Sequence, residues 1–138
     1  MVGVDLAVIE PPMGLANVVA LSGDISEVAV RERLLEALGG PADVLLSDAA
    51  PKLTGVRATD RAREEVLLEC VEAALASLLC RGGALLVKLL QGPEAQAIEK
   101  RLKARFETAH SLRPAASRKG TSERYLLGLG LRAQSGLR

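Results

Sequence analysis

Three charged residues border or interrupt apolar runs: Asp48 follows VLLS, Lys88 lies inside ALLVKLL, and Glu123 stands just before RYLLGLGL. A lysine in an otherwise apolar strand is expensive to bury unless it is paired or neutral. A carboxylate at the end of a greasy run either caps a turn, which Asp does well, or stands where open α/β sheets bind ligands, outside the carboxyl ends of the strands. If the three runs are neighbouring strands, their ends bring Asp48 and Lys88 together and let Glu123 join them. The cluster is then either a buried ion pair, which by itself says little about function, or a reactive site. Apolar residues could replace a purely structural pair, which favours the second reading.

The elements that would position these residues follow from the hydrophobic pattern. Val2–Leu6 reads as a short buried strand in which Asp5 marks the polar end, followed by the loop Glu10-Pro11-Pro12. Asn17–Leu21 is a second strand, with the turn Ser22-Gly23-Asp24 after it. Glu27–Leu38 has helical spacing, with Val30, Leu34 and Leu38 on one face, Ser26 as N-cap and Gly39-Gly40 as the stop. Val44–Ser47 is a strand. Asp60 caps a long helix reaching Leu79, with Leu67, Val71, Leu75 and Leu78 facing the core, and Gly82-Gly83 end it. Ala84–Leu89 is the strand that carries Lys88. Pro93 opens a helix to about Arg105, and the strands Phe106–Leu112 and Tyr125–Leu131 follow. Strands alternating with helices predict an α/β fold of βα units on a mostly parallel sheet. One domain over 1–132 and a frayed tail over 133–138 are expected.

The chain has 138 residues, of which 49% are apolar, yet Phe106 and Tyr125 are its only aromatic residues, so the core must be aliphatic. No run approaches the roughly 20 apolar residues of a membrane span, and MVGVDLAVIEPP lacks the basic start of a signal peptide. The expectation is a cytoplasmic, non-membrane monomer, or a mitochondrial one if a targeting segment lies further upstream. Cys70 and Cys80 have neither CxxC spacing nor a His pair beside them, so buried structural thiols are expected and no metal site. His110 is the only histidine, which leaves a His-based triad without support. Net charge is +1, but residues 1–96 hold 8 Lys+Arg against 14 Asp+Glu and residues 97–138 hold 10 against 3. Such asymmetry suits a polyanionic partner. A solvated helix face would explain Lys100, Arg101, Lys103 and Arg105, but less easily Arg113, Arg118, Lys119 and Arg124.

Five stretches, VGVDL, LSGDISE, VLLSDAAPKLTG, LLVKLLQG and RPAASRKGTSERY, occur in the order and at the spacing of the FtsJ/RrmJ family, which the chain resembles from Val2 to about Leu131. Members of that family are Rossmann-like, S-adenosylmethionine-dependent methyltransferases of the ribose 2′-hydroxyl of RNA. The resemblance implies that Asp48, Lys88 and Glu123 take the last three places of a Lys-Asp-Lys-Glu catalytic set. It implies cofactor contacts from Asp5, Asp24, Ile25, Asp48 and Pro51, and RNA contacts from Arg118, Lys119 and Tyr125. Tyr125 resembles the Glu-x-Tyr ending of the ribosomal-RNA branch, although simple packing on the sheet would also account for it. Lys52 departs from the family, where Asn or Asp is common. The first lysine of the set and the glycine-rich loop of the first strand have no counterpart here, so the chain reads as a member without its amino-terminal third.

What the resemblance implies is methyl transfer to a uridine 2′-hydroxyl in large-subunit ribosomal RNA, with ribosomal RNA or a ribosomal particle as partner. The same chemistry on tRNA or a messenger cap, and a catalytically dead RNA-binding remnant, are the alternatives. A nucleotide-binding oxidoreductase is disfavoured because no GxGxxG follows any strand. Lys88 would act either as a base, if nearby positive charge lowers its pKa, or as a cation that stabilises the developing alkoxide.

Overall fold

A computed structural model of the chain describes residues 1–11, 14–89, 93–115 and 123–133. Along the chain run β1 (Val2–Asp5), β2 (Val19–Ser22), α1 (Val28–Leu38), β3 (Ala42–Ser47), α2 (Arg57–Leu78), β4 (Leu79–Leu89), α3 (Pro93–Ala104), β5 (Phe106–Leu112) and β6 (Arg124–Leu131). The strands form two sheets rather than one. β1 and β2 pair in parallel, and a separate four-stranded sheet has the order β3-β4-β6-β5. Within the larger sheet β3 and β4 are parallel, while β6 runs antiparallel to both β4 and β5, so three of the four strands point the same way.

Alternation along the strands decides where the core lies. Leu85, Val87 and Leu89 of β4, with Leu126 of β6, point to one face and are buried against Leu68, Val71 and Leu75 of α2 and Ile98 and Leu102 of α3. This cluster is almost wholly aliphatic, with Phe106 as its aromatic member. A second cluster, Leu34 of α1 with Ala74 and Leu78 of α2, holds Val2, Val4 and Leu21 of the small sheet. α2 therefore reaches both sheets.

Several boundaries differ from those read in the sequence, each for a physical reason. α1 starts at Val28 with Glu27 in the cap position and no side-chain cap; Ser26 instead gives its backbone N–H to Asp24 Oδ1 at 2.9 Å. The Gly39-Gly40 stop is as expected, with Gly39 at φ 77 and both glycine N–H groups donating back to the last turn. Leu38 is exposed, and only Val30 and Leu34 of the expected face are buried. α2 starts three residues before Asp60, whose carboxylate accepts from Thr54 N–H, Thr54 Oγ1 and Gly55 N–H and so ties down the incoming loop. Leu68 rather than Leu67 is the fully buried member of its turn.

β4 begins at Leu79, directly after α2, so Gly82 and Gly83 do not end the helix; they lie inside the strand. The β3–β4 register jumps there, from Ala42↔Leu79 to Val44↔Ala84. Gly82 takes φ 79, and a Cβ on Gly83 would come within 2.8 Å of the Leu79 side chain. An irregularity of this kind needs glycine, as bulges often do. Both cysteines are free and half-buried rather than fully buried. The expected tail falls, beyond Ala133, outside the described residues.

Candidate active site

β3 and β4 carry two of the predicted residues to one sheet edge. Ser47 pairs with Val87, so the next residues, Asp48 and Lys88, lie side by side where the parallel strands end. The antiparallel β6 brings its beginning to the same edge, because Lys88 pairs with Tyr125 and Leu89 with Arg124. Glu123, immediately before β6, completes the group. Lys88 Nζ is 3.1 Å from Asp48 Oδ1 and 3.5 Å from Glu123 Oε1. The Tyr125 hydroxyl donates to that same Asp48 oxygen at 2.7 Å.

Exposure differs sharply within the group. The Lys88 side chain is 14% exposed and that of Asp48 72%. The aliphatic stem of Lys88 is thus covered while its ammonium meets a carboxylate open to solvent, the usual compromise of a long cationic side chain. The hydrogen bond from Tyr125, then that from Lys88, holds the Asp48 carboxyl below its ordinary value. The hydrogen bond to Asp48 raises the Lys88 ammonium above its ordinary value, and the Glu123 charge adds to that. Donation to Asp48 likewise pushes up the Tyr125 phenol. At neutral pH the cluster holds a charged lysine, a charged Asp48 and a neutral tyrosine.

A second acidic group forms at the ends of β1 and β2. Asp5 pairs with Ser22, Gly23 N–H donates to the Asp5 carbonyl at 2.9 Å, and Asp5 Oδ1 accepts from Ala7 N–H at 2.9 Å. Asp24 lies just beyond, its carboxyl lowered by hydrogen bonding from Ser26. The half-buried Ile25 side chain packs against the α1–α2 cluster. Pro51 lies half-buried in the irregular segment between β3 and α2. Arg118 and Lys119 lie outside the described residues. Among the described residues no group of three or more His, Cys, Asp and Glu could hold a metal ion, and no helix is long and apolar enough to cross a membrane.

Sequence reasoning missed one polar network. Glu99 of α3, 8% exposed, is the buried acid of the molecule among the described residues. It accepts from Ser111 Oγ at 2.9 Å and pairs with Lys103 at 2.7 Å and Arg124 at 3.5 Å. Burial raises its pKa, but the bonds from Lys103 and Ser111 outweigh this and the net shift is downward. The signal was present as an i,i+4 Glu–Lys pair, although that spacing usually marks a solvated face. Arg101 pairs with Glu72 at 3.0 Å. Arg101, Lys103 and Arg124 of the basic carboxyl-terminal part therefore already have partners within the chain.

The sequence model of the FtsJ-like methyltransferase family matches residues 1–131. A relative from Methanothrix thermoacetophila, named ribosomal RNA large subunit methyltransferase E, is 41% identical over 128 residues, which are 93% of this chain and 49% of that protein. The protein of the same name from Methanothermobacter thermautotrophicus is 39% identical over 81% of this chain and 53% of its own length. The chain spans about half the length of these curated relatives. A crystal structure of a Plasmodium falciparum protein described as a ribosomal RNA methyltransferase superposes with a TM-score of 0.78 at 23% identity, over 95% of this chain and 71% of that one. The chain belongs to the FtsJ-like methyltransferase family, and the structural likeness shows the same fold.

Proposed function

We propose, from that membership, that the chain carries the transfer edge of an S-adenosylmethionine-dependent RNA methyltransferase acting on a ribose 2′-hydroxyl of large-subunit ribosomal RNA. The observation that carries the reading is the convergence of Lys88, Asp48, Glu123 and Tyr125 at one strand edge. The residues present suit the cofactor. Asp5 and Asp24 put carboxylates at the ends of adjacent strands, the acceptors that a ribose diol and an exocyclic amine require. S-adenosylmethionine, when bound, supplies an electrophilic methyl group on a sulfonium.

The chain's own residues then have separable tasks. Lys88 meets the 2′-hydroxyl as a cation and stabilises negative charge as it grows on that oxygen. Such preorganised contacts are worth about 10²–10³ in rate each. Its raised pKa makes the base role the poorer of the two. The hydroxyl proton would pass to water beside the exposed Asp48. Glu123 and Asp48 fix the Lys88 ammonium from two sides, and Tyr125 fixes Asp48. Holding the reacting groups in line removes on the order of 7–11 kcal/mol of barrier at best.

The test is transfer of radiolabelled methyl from S-adenosylmethionine to unmethylated large ribosomal particles, followed by nucleoside analysis. Label in a 2′-O-methylnucleoside is expected, and label confined to base positions would overturn the reading. The chain is assayed both alone and together with the remaining portion of the Methanothrix thermoacetophila relative.

A further inference from the structure

Arg31 stands in the first turn of α1, a turn with no acidic residue of its own. A cation is disfavoured there, because the unpaired N–H groups give that end of a helix a partial positive charge. The guanidinium reaches instead to the segment before the helix. Its Nη1 donates to the Ile25 carbonyl at 2.8 Å and to the Ser26 carbonyl at 2.7 Å. Bonds from a charged donor are the short, strong class. Arg33 adds a longer one, from Nη1 to the Ser22 carbonyl at 3.4 Å. The turn so held is the one that carries Asp24. Ser26 donates its backbone N–H to Asp24 Oδ1 at 2.9 Å, and its side chain bonds the same carboxylate. Glu27 N–H closes on the Asp24 carbonyl at 3.0 Å. At its other end the turn is tied to the β1 side, where Gly23 N–H donates to the Asp5 carbonyl and Ser22 Oγ to the Leu6 carbonyl. A Cβ on Gly23 would come within 2.8 Å of the Val30 side chain, so the turn lies directly against α1. Arg31 thus reaches Asp24 through Ser26.

We infer that Arg31 is a positioning residue for the cofactor: by spanning the Ile25 and Ser26 carbonyls it sets, before anything binds, the turn that presents the Asp24 carboxylate to S-adenosylmethionine. The identity of the ligand rests on the proposed function; the hold on the turn rests on the hydrogen bonds alone. Support of the helix does not account for the residue. Both bonds leave α1, the local dipole opposes the charge, and methionine is about as good a helix former as arginine. Lysine is no equivalent either, since its ammonium ends one bond short and lacks the planar fork of the guanidinium. A turn held in advance leaves less ordering for the ligand to accomplish, so losing the hold weakens cofactor binding. The transfer step is separate. Lys88, Asp48 and Tyr125 belong to the four-stranded sheet, whereas Asp24 follows β2 of the two-stranded one. Loss of Arg31 therefore acts on cofactor affinity and spares the rate at saturation.

Arg31→Met is compared with the unaltered sequence in two measurements. Carbon-detected NMR titration of the chain alone follows the Asp24 carboxyl, which hydrogen bonding from Ser26 holds below its ordinary value. In the variant it should move up as those bonds loosen. Calorimetry with S-adenosylmethionine and single-turnover transfer then use the chain combined with the remaining portion of the Methanothrix thermoacetophila relative. The dissociation constant should rise about tenfold, the equivalent of one hydrogen bond to a charged group. The transfer rate at saturating cofactor should stay within about twofold, as when only binding is lost. Arg31→Lys, the milder change should the methionine variant not fold, should shift both quantities less and in the same direction. An unchanged Asp24 titration, an unchanged affinity, or a slower rate with affinity intact would overturn the inference. So would an equal loss in Arg33→Met, which removes the same charge from the same helix. Absence of binding by the unaltered protein would be a failure of the proposed function, and the Asp24 titration would still decide whether Arg31 sets the turn.

Discussion

Lys88 and Tyr125 lie opposite one another across the β4–β6 ladder, and both reach the same oxygen of Asp48. The tyrosine is therefore part of the charge cluster and not simply a surface for RNA or a packing residue. Tyr125→Phe removes the larger of the two hydrogen bonds that keep the Asp48 carboxyl acidic. Carbon-detected NMR titration should show Asp48 moving up toward the ordinary carboxylate value of about 3.9. An unchanged titration would show that the hydroxyl does not hold Asp48 in solution.

The Lys88–Asp48 pair has a defined pH window. Asp48 is depressed, so its contribution to stability is present above about pH 4 and is lost as pH falls through its folded value. Lys88 is raised, so its contribution is present below about pH 10 and is lost as pH rises through its still higher folded value. With Asp48 so exposed, a double-mutant cycle of Lys88→Met and Asp48→Asn at pH 7 should give a coupling of about 1 kcal/mol or less. A much larger coupling would mean that the pair is shielded from water.

The same sign governs the rate. A cationic Lys88 predicts a transfer rate that is level from about pH 6 to pH 9 and declines only above that range, as the ammonium deprotonates. A rate that climbs tenfold per pH unit through neutrality would mark Lys88 as a base and refute the electrostatic role. Single-turnover measurements with saturating RNA separate these outcomes.

Glycine positions offer a packing test on either side of the molecule. A Cβ at Gly128 would come within 2.6 Å of the Phe106 ring, whereas one at Gly3 meets nothing. Gly128→Ala should destabilise the chain by about 1–3 kcal/mol through overpacking, and Gly3→Ala should leave urea unfolding almost unchanged. Equal effects would contradict the open space beside Gly3.

Leu85 is fully buried at the centre of the main cluster. Leu85→Ala should cost about 2–5 kcal/mol in chemical denaturation. A smaller loss would mean that α2 and α3 close over the gap.

How much of this was legible beforehand depended on range. Lys88 stood out because a charge inside ALLVKLL has no cheap explanation, and the ends of parallel neighbours brought Asp48 to it as expected. The Tyr125–Asp48 bond was not legible, since it requires the antiparallel Lys88↔Tyr125 register. Gly82-Gly83 misled because a glycine pair looks the same as a helix stop and as a strand irregularity; only the β3–β4 register jump distinguishes them. Ser26 looked like a cap, but the helix begins at Val28 with Glu27 in the cap position, and Ser26 belongs to the turn that Asp24 closes. Glu99 was hidden by a spacing that ordinarily marks a wet helix face, and its burial depends on Ser111 and Arg124 arriving from β5 and β6.

The most direct measurement is single-turnover methyl transfer to the ribose 2′-hydroxyl, comparing Lys88→Ala with the unaltered sequence, each combined with the remaining portion of the Methanothrix thermoacetophila relative. At least a 10²-fold slower rate is expected in the variant, with S-adenosylmethionine binding retained. An equal rate in the two proteins would contradict it, because the charge cluster at the strand edge would then have no part in the chemistry.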